Sequence, residues 1–309
     1  MAHACESHFK AGDVILLSLL EHHSNIVPWQ LLASRRGVRL EFVDIDQDVA
    51  LSMDDFYAKL RRYRPKLVAI THVANSFGTE VRVSEIAAAA RGMGAKVLVD
   101  AAQSAGHHIL DVRAWDIDFL VFSGHKVYGP TGIGVLYIKP ELLDELDPFQ
   151  GGGDMIASVS MEGSTWAEPP AKFEAGTPPI AGALGLAAAL EFINKIGKEK
   201  IAKYERELFC YAFDLLQREP GVIVYGPARS GGAQQSIISF NLKGVHPHDL
   251  ATVADDLGVQ FRAGHHCAMP AMRRLGLDAT ARISFGVYST REDVEQLVEA
   301  VRYARRIFA

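Results

Sequence analysis

Short apolar runs alternate with amphipathic stretches over roughly the first 140 positions of the chain. The runs that predict strands are Val14 to Ser18, Leu40 to Val43, Leu67 to Ile70, Val97 to Val99, Phe119 to Phe122 and Gly134 to Ile138. The stretches with helical spacing are Ile26 to Arg35, Met53 to Arg62 and Val83 to Met93. This alternation is typical of an α/β fold with a mainly parallel sheet.

The pattern changes after a glycine cluster at 151–153 and a proline-rich loop with prolines at 169, 170, 178 and 179. Two long helices are predicted there, Ile180 to Ile196 and Lys198 to Arg218. The tail predicts strands at Gln235 to Leu242 and Ile283 to Phe285, and helices at Pro247 to Leu257 and Arg291 to Ile307. We therefore predict a large domain over residues 1–178 and a smaller α+β domain over residues 179–309.

Two polar residues follow buried strands of the predicted parallel sheet. Asp100 ends one apolar run, and Lys126 comes just after another. Ligands collect beyond the carboxyl ends of such strands. A lysine amine can hold pyridoxal phosphate (PLP) as a Schiff base, and an aspartate can keep its pyridinium nitrogen protonated. Either residue alone is more often a solvated lysine or a helix cap, so the pair together carries the PLP hypothesis.

One cysteine stands among basic groups in the run from Arg262 to Pro270. Nearby positive charge favours the thiolate of Cys267, which makes it a candidate nucleophile. A zinc site formed by His265, His266 and Cys267 is disfavoured, because three adjacent residues do not easily all point inward and no second ligand pair stands at the usual spacing.

Motifs along nearly the whole chain resemble those of the cysteine desulfurases, in particular the group II type of SUF-style iron–sulfur cluster assembly. The segments that carry the resemblance are residues 21–29 (EHHSNIVPW), 71–75 (THVAN), 99–104 (VDAAQS), 123–132 (SGHKVYGPTG), 151–156 (GGGDMI), 173–178 (FEAGTP) and 262–270 (RAGHHCAMP). The resemblance implies the fold type I of PLP-dependent transferases. That fold has a mainly parallel large domain of the seven-stranded type and a smaller C-terminal α+β domain.

The resemblance also implies roles for individual residues. Lys126 would be the Schiff-base lysine, Asp100 the pyridinium partner and Cys267 the residue that takes sulfur as a persulfide. The other implied contacts are a ring stacked on PLP (His23), a donor to its phenolic oxygen (Gln103), a side chain that approaches the cofactor oxygen (Asn75), phosphate contacts (Ser123, His125 and Thr177) and a clamp on the substrate carboxylate (Arg282). Stacking suits an imidazole, and carboxylate binding suits a guanidinium fork.

The implied reaction moves sulfur from L-cysteine to an acceptor protein of the SUF system and releases L-alanine. A short loop around Cys267 limits how far a persulfide can travel, so a dedicated acceptor is expected. In the family Thr177 reaches the phosphate of a neighbouring subunit, which implies a homodimer.

The N-terminal sequence departs from the family pattern. Family members carry a Gly-Thr-Thr loop that cradles the PLP phosphate, and no such loop precedes Asp13. We therefore expect that an N-terminal segment is missing, and that cofactor binding is weakened. Two alternatives stay open: selenocysteine lyase, and a non-catalytic fragment that acts through a subunit or partner.

Composition and charge exclude some other classes. The 309 residues carry a net charge of −5, which argues against nucleic acid or an anionic membrane as the main partner. Apolar runs are too short to span a bilayer. Three scattered cysteines, Cys5, Cys210 and Cys267, predict no disulfide framework, and we expect a cytoplasmic location.

Overall fold

The computed structural model describes residues 1–226 and 236–308. Six strands form the larger sheet, in the order β2-β1-β3-β4-β5-β6. Their bounds are β1 Val14–Ser18, β2 Arg39–Val43, β3 Leu67–Thr71, β4 Lys96–Asp100, β5 Phe119–Ser123 and β6 Gly134–Ile138. The first five pair in parallel, and β6 runs antiparallel to β5 at one edge. The carboxyl ends of the five parallel strands therefore lie along one side of the sheet.

Three helices connect these strands: α1 Val27–Arg36, α2 Met53–Tyr63 and α3 Val83–Gly92. Helix α1 ends at Gly37, whose φ of 68° is in the left-handed region that favours glycine. Helix α2 begins after Ser52, whose side chain accepts a hydrogen bond from the Asp55 amide. Strands β1 and β3 are buried along their whole length, and apolar cores lie on both faces of the sheet.

A hairpin and two helices follow the large sheet. The hairpin consists of β7 Ile156–Val159 and β8 Ser164–Trp166, and the helices are α4 Ile180–Ile196 and α5 Lys198–Arg218. No single helix in the described part of the chain is long and apolar enough to cross a membrane. Helices α4 and α5 pass that test only as a pair, with a bend of 76° between them.

The second sheet is antiparallel, in the order β11-β12-β10-β9. Its strands are β9 Val222–Tyr225, β10 Ile237–Leu242, β11 Arg262–Gly264 and β12 Thr280–Ser284. The helices of this part are α6 Pro247–Asp256, α7 Met269–Arg274 and α8 Arg291–Ile307. Apolar residues of α6 and α8 pack with α5 into a separate core, whereas Ala271 and Met272 of α7 pack into the core of the large sheet.

The α/β fold class predicted from the sequence is confirmed, and each strand predicted before residue 140 is present to within one residue at either end. The resemblance implied a sheet of the seven-stranded type. Within the described residues the large sheet has six strands, with β2 and β6 at its edges. The predicted strand from Gln235 to Leu242 starts outside the described residues, and its described part is β10. The boundary between residues 178 and 179 stays a prediction.

Candidate active site

A cavity of about 510 Å³ lies at the carboxyl ends of the parallel strands. Strand β4 delivers Asp100 to it, and β5 is followed by a turn of 3-10 helix, Gly124–Lys126, that delivers Lys126. Gly124 is needed in this turn because a Cβ there would come within 3.0 Å of the Ile133 carbonyl oxygen. The polar residues on the cavity wall are His22, Ser24, Asn25, Thr71, Asn75, Asp100, Gln103, Ser123, His125 and Lys126.

Asp100 and Lys126 influence each other electrostatically in this cavity. Burial raises the pKa of Asp100, while a hydrogen bond from the Ala102 amide (2.9 Å) and the charge of Lys126 oppose that rise. Burial lowers the pKa of Lys126, and the Asp100 carboxylate opposes that fall. A lowered lysine pKa favours the neutral amine, which is the form that attacks a carbonyl.

Asn75 presents an open hydrogen-bonding position. Its Nδ2 donates to the carbonyl oxygen of His266 at 2.6 Å, while its buried Oδ1 has no hydrogen-bond partner in the described residues. A buried amide atom without a partner costs about 1–3 kcal/mol, so a bound polar group is favoured there. Gln103, Ser123 and His125 also line the cavity. Asn75 Oδ1 can accept a hydrogen bond, and these polar groups, with a lysine amine and a carboxylate on the same cavity wall, fit PLP.

His22 lies on the cavity wall, whereas His23, which the sequence analysis placed over the cofactor ring, does not. The His23 ring stacks on His265 with centroids 5.7 Å apart, and its Nε2 accepts a hydrogen bond from the Met269 amide at 3.1 Å. His22 caps the following turn, with Nδ1 accepting from the Ser24 amide at 3.1 Å. The proton of a neutral His22 ring is therefore on Nε2, the nitrogen left for a bound group.

His22 and His23 are adjacent, yet only His22 lines the cavity, because the backbone changes direction between them. His22 is extended, with φ −63° and ψ 149°, and His23 opens a turn of 3-10 helix. Burial lowers the pKa of His22, and the charge of Lys126 lowers it further. A neutral imidazole at neutral pH can accept or donate a proton inside the cavity.

Cys267 lies in a loop between β11 and α7, and its side chain is exposed. His266 and Cys267 both have left-handed backbones, with φ of 51° and 54°. Two successive non-glycine residues in that region are costly and persist only where surrounding contacts hold them. Here the Cys267 carbonyl accepts from the His23 amide at 2.8 Å, and the Cys267 amide donates to His265 Nδ1 at 3.1 Å.

The negative charge of a Cys267 thiolate acts on the pKa of Lys126, which lines the cavity. It raises the pKa of Lys126 and of Arg282, in both cases against a larger lowering by burial. The zinc alternative for this loop is not supported by the ring nitrogens, since His266 Nε2 faces Thr280 Oγ1 at 2.9 Å and His265 Nδ1 faces the Cys267 amide.

Besides His23 and Cys267, two further predicted residues lie outside the cavity wall. Arg282, on β12, is half-buried, and its Nη1 donates to the Asn75 carbonyl oxygen at 2.8 Å while its buried Nε has no partner in the described residues. It thus contacts the loop that carries Asn75. Thr177 is exposed in the segment before α4, and a single chain does not bring it to the cavity.

A buried carboxyl group, Glu21, was missed by the sequence analysis. Burial raises its pKa to about 8, against hydrogen bonds from Ser18, Asn25 and the Thr71 amide. Asn25 Nδ2 donates to Glu21 Oε2 at 2.7 Å, and Trp29 Nε1 donates to Asn25 Oδ1 at 3.1 Å. This network holds the segment that carries His22 against β3. The one sequence signal for it was the run of polar residues inside the 21–29 motif.

The chain is similar to known proteins of one family along nearly its whole length. The model of the family described as aminotransferase class-V matches residues 1–297. A cysteine desulfurase of Salmonella choleraesuis (strain SC-B67) is 46% identical over 299 residues, which are 96% of this chain and 72% of the relative.

Two solved structures are similar over nearly the whole chain. The apo cysteine desulfurase of Thermococcus onnurineus NA1 superposes with a TM-score of 0.94 at 43% identity, over 99% of this chain and 76% of that one. The cysteine desulfurase CsdA of Escherichia coli superposes with a TM-score of 0.93 at 37% identity, over 99% of this chain and 75% of that one.

Proposed function

This chain belongs to the class-V aminotransferase family, and on that premise we propose that it is a PLP-dependent cysteine desulfurase. The proposal depends above all on one observation: the left-handed loop that carries the exposed Cys267 is hydrogen-bonded to the wall of the cavity that contains Lys126, through Asn75 Nδ2 and the His266 carbonyl oxygen. Relatives at 46% and 43% identity that are cysteine desulfurases support it.

We propose a separate contact with the cofactor for each of several polar residues of the cavity. Lys126 would bind it covalently, Asp100 would keep the ring nitrogen protonated, and Asn75 and Gln103 would bind its phenolic oxygen. When bound, PLP withdraws electrons from the substrate and so weakens its carbon–sulfur bond. Ser123 and His125, and Thr177 of a second subunit, are proposed to contact the phosphate.

Cys267 would take the sulfur. Its thiolate would attack the sulfur of the substrate L-cysteine as the carbon–sulfur bond breaks, and Cys267 would keep the sulfur as a persulfide. The electron pair of the broken bond would stay with the substrate carbon, which takes up a proton and is released as L-alanine. Arg282 is proposed to bind the substrate carboxylate. The loop between β11 and α7 is short, so an acceptor protein has to approach the exposed Cys267. We propose a SUF-type acceptor serving iron–sulfur cluster assembly, in a cytoplasm that keeps all three cysteines reduced.

The function is tested by saturating the protein with PLP, adding L-cysteine and a thiol acceptor, and measuring alanine and sulfide. We expect equal amounts of the two products. Turnover of selenocysteine but not of cysteine would favour the lyase alternative. An absence of the visible absorbance of bound PLP would favour the non-catalytic alternative.

We propose that His22, and not His23, is the imidazole that acts on the cofactor. Replacing His22 with Ala is expected to lower the rate of alanine release about a hundredfold or more, the usual effect of removing a general acid or base. His23→Ala removes one hydrogen-bond acceptor from the Met269 amide, at a cost to stability of about 1 kcal/mol. Rates and PLP absorbance of the two variants, measured side by side, decide between them. A greater loss of rate in His23→Ala would return the role to that residue.

A homodimer is proposed because α4, next to Thr177, exposes large apolar side chains. Ile180 is 59% exposed and Leu184 is 69% exposed. Exposed apolar patches often mark interfaces, and a stable one buries about 1,600 Å² in total.

The double substitution Ile180→Arg and Leu184→Arg is expected to convert a dimer to a monomer, because it places two charges in an apolar interface. Light scattering coupled to size-exclusion chromatography measures this. Ile223→Arg, at an exposed position of β9, is the control that is expected to leave the dimer intact. A monomeric, PLP-replete parent protein would contradict the proposal.

A further inference from the structure

Three potential metal ligands meet outside the cavity described above. One ligand atom from each of His72, Glu80 and His108 lies within 4.8 Å of the other two. The Nε2 of His72 is 3.6 Å from a carboxylate oxygen of Glu80, and the His72 and His108 ring centroids are 5.3 Å apart. His72 and Glu80 both lie in the segment between β3 and α3, and His108 lies in the segment after β4, so the fold brings the third ligand to the first two.

The backbone holds each of these residues in place. The His72 amide donates to the Asp100 carbonyl at 2.9 Å, which fixes His72 just beyond β3. A β-bridge between Val73 and Glu80 keeps Glu80 beside it. The His108 amide donates to the Ser104 carbonyl at 2.8 Å. A site assembled from such fixed segments needs little reorganisation to bind an ion.

Burial differs among the three residues in a way that suits ion entry. His72 is only 4% exposed, and its Nδ1 has no hydrogen-bond partner in the described part of the chain. Glu80 and His108 are half-buried and leave access from solvent. The indole of Trp115 packs edge-on to the His72 ring, with centroids 4.9 Å apart.

We propose that His72, Glu80 and His108 bind a divalent transition-metal ion of the zinc class. Two imidazoles and a carboxylate are the ligand types that zinc prefers, and three protein ligands leave a fourth position for water. Magnesium and calcium prefer oxygen ligands and do not suit this set. Zinc bonds to nitrogen and oxygen are about 2.0–2.2 Å long, so the half-buried Glu80 and His108 have to move inward by about 1 Å.

This site is independent of the proposed function and lies next to its residues along the chain. His72 is three residues from Asn75, and His108 is five residues from Gln103, both of which line the cavity. A bound ion would join the segment after β3 to the segment after β4. We therefore expect zinc to raise the melting temperature of the protein, by an amount that keeps growing with the logarithm of the free zinc concentration once the site is mostly filled.

The test uses the PLP-saturated protein, stripped of metal and titrated with Zn²⁺ by calorimetry. A parallel titration with Co²⁺ follows the quenching of Trp115 fluorescence. We expect one equivalent of Zn²⁺ to bind, and Glu80→Gln and His108→Asn each to weaken binding at least tenfold, as loss of a ligand should do at least as much as loss of an outer-shell partner. The variants use the two more accessible ligands, because replacing the buried His72 endangers folding.

Three controls make the result specific. His248→Asn, at an exposed histidine that stacks on His246, is expected to leave the affinity unchanged. Cys267→Ser is also expected to leave it unchanged, and Trp115→Phe to remove the quenching but not the heat of Zn²⁺ binding. Affinity that survives in both ligand variants, disappears in Cys267→Ser, or is absent from the parent protein would overturn the proposal.

Discussion

Replacing Lys126 with Ala is expected to lower the rate of alanine release by on the order of a thousandfold or more, because it removes the amine that we propose binds the cofactor covalently. Within the described residues, no other lysine lines the cavity in which Asp100 lies. The visible absorbance of a lysine-bound cofactor should vanish as well. Borohydride reduction followed by peptide mapping is the direct measurement, since it fixes PLP on the lysine that holds it.

The matched control is Lys203→Ala, at an exposed position of α5, which should keep both absorbance and rate. Asp100→Ala is expected to have a smaller effect than Lys126→Ala. It should retain some cofactor and lose about a hundredfold in rate, the usual effect of removing one preorganised charge from a site. A PLP adduct that borohydride still traps in Lys126→Ala would show that another amine serves.

The second large effect is expected at Cys267. Changing it to Ser should leave the cofactor bound and reduce persulfide formation below detection, because a hydroxyl stays protonated at neutral pH and attacks sulfur far less readily than a thiolate. The measurement is persulfide labelling after incubation of the PLP-saturated protein with L-cysteine, followed by peptide mapping.

The chain contains two matched control cysteines. Burial raises the pKa of Cys5 to about 11, so its thiol is unreactive at neutral pH. Cys210 is half-buried in α5 and packs against the core of the second sheet. Both Cys5→Ser and Cys210→Ser should label as the parent does. Label on either residue in place of Cys267 would show that the nucleophile is assigned wrongly.

The positions of Lys126 and Asp100 could be predicted because the parallel-sheet pattern determines where the carboxyl ends of strands lie. The strands themselves carried a strong apolar signal, and all five parallel ones were predicted. The short elements had no such signal. Strand β11, with three residues, and α7, with six, are too short for a hydrophobic period to show, yet they frame the loop of Cys267.

The choice between His22 and His23 could not be made from the sequence. Two identical neighbours in a bend differ only in backbone direction, and that direction is set by long-range hydrogen bonds such as the one from the His23 amide to Cys267. The left-handed conformations of His266 and Cys267 could not be predicted from the sequence either, because a positive φ is uncommon for residues other than glycine.

The hydrogen bonds that tie the Cys267 loop to the large sheet also limit how this protein could be redesigned. The His23 amide and the Asn75 side chain donate hydrogen bonds to the carbonyl groups of Cys267 and His266, so Cys267 is anchored by backbone atoms that no side-chain substitution in the loop removes. Grafting a longer loop into this position would release both anchors at once and would leave Asn75 without its partner. The loop and the two segments that hold it therefore have to be exchanged between homologues as one unit.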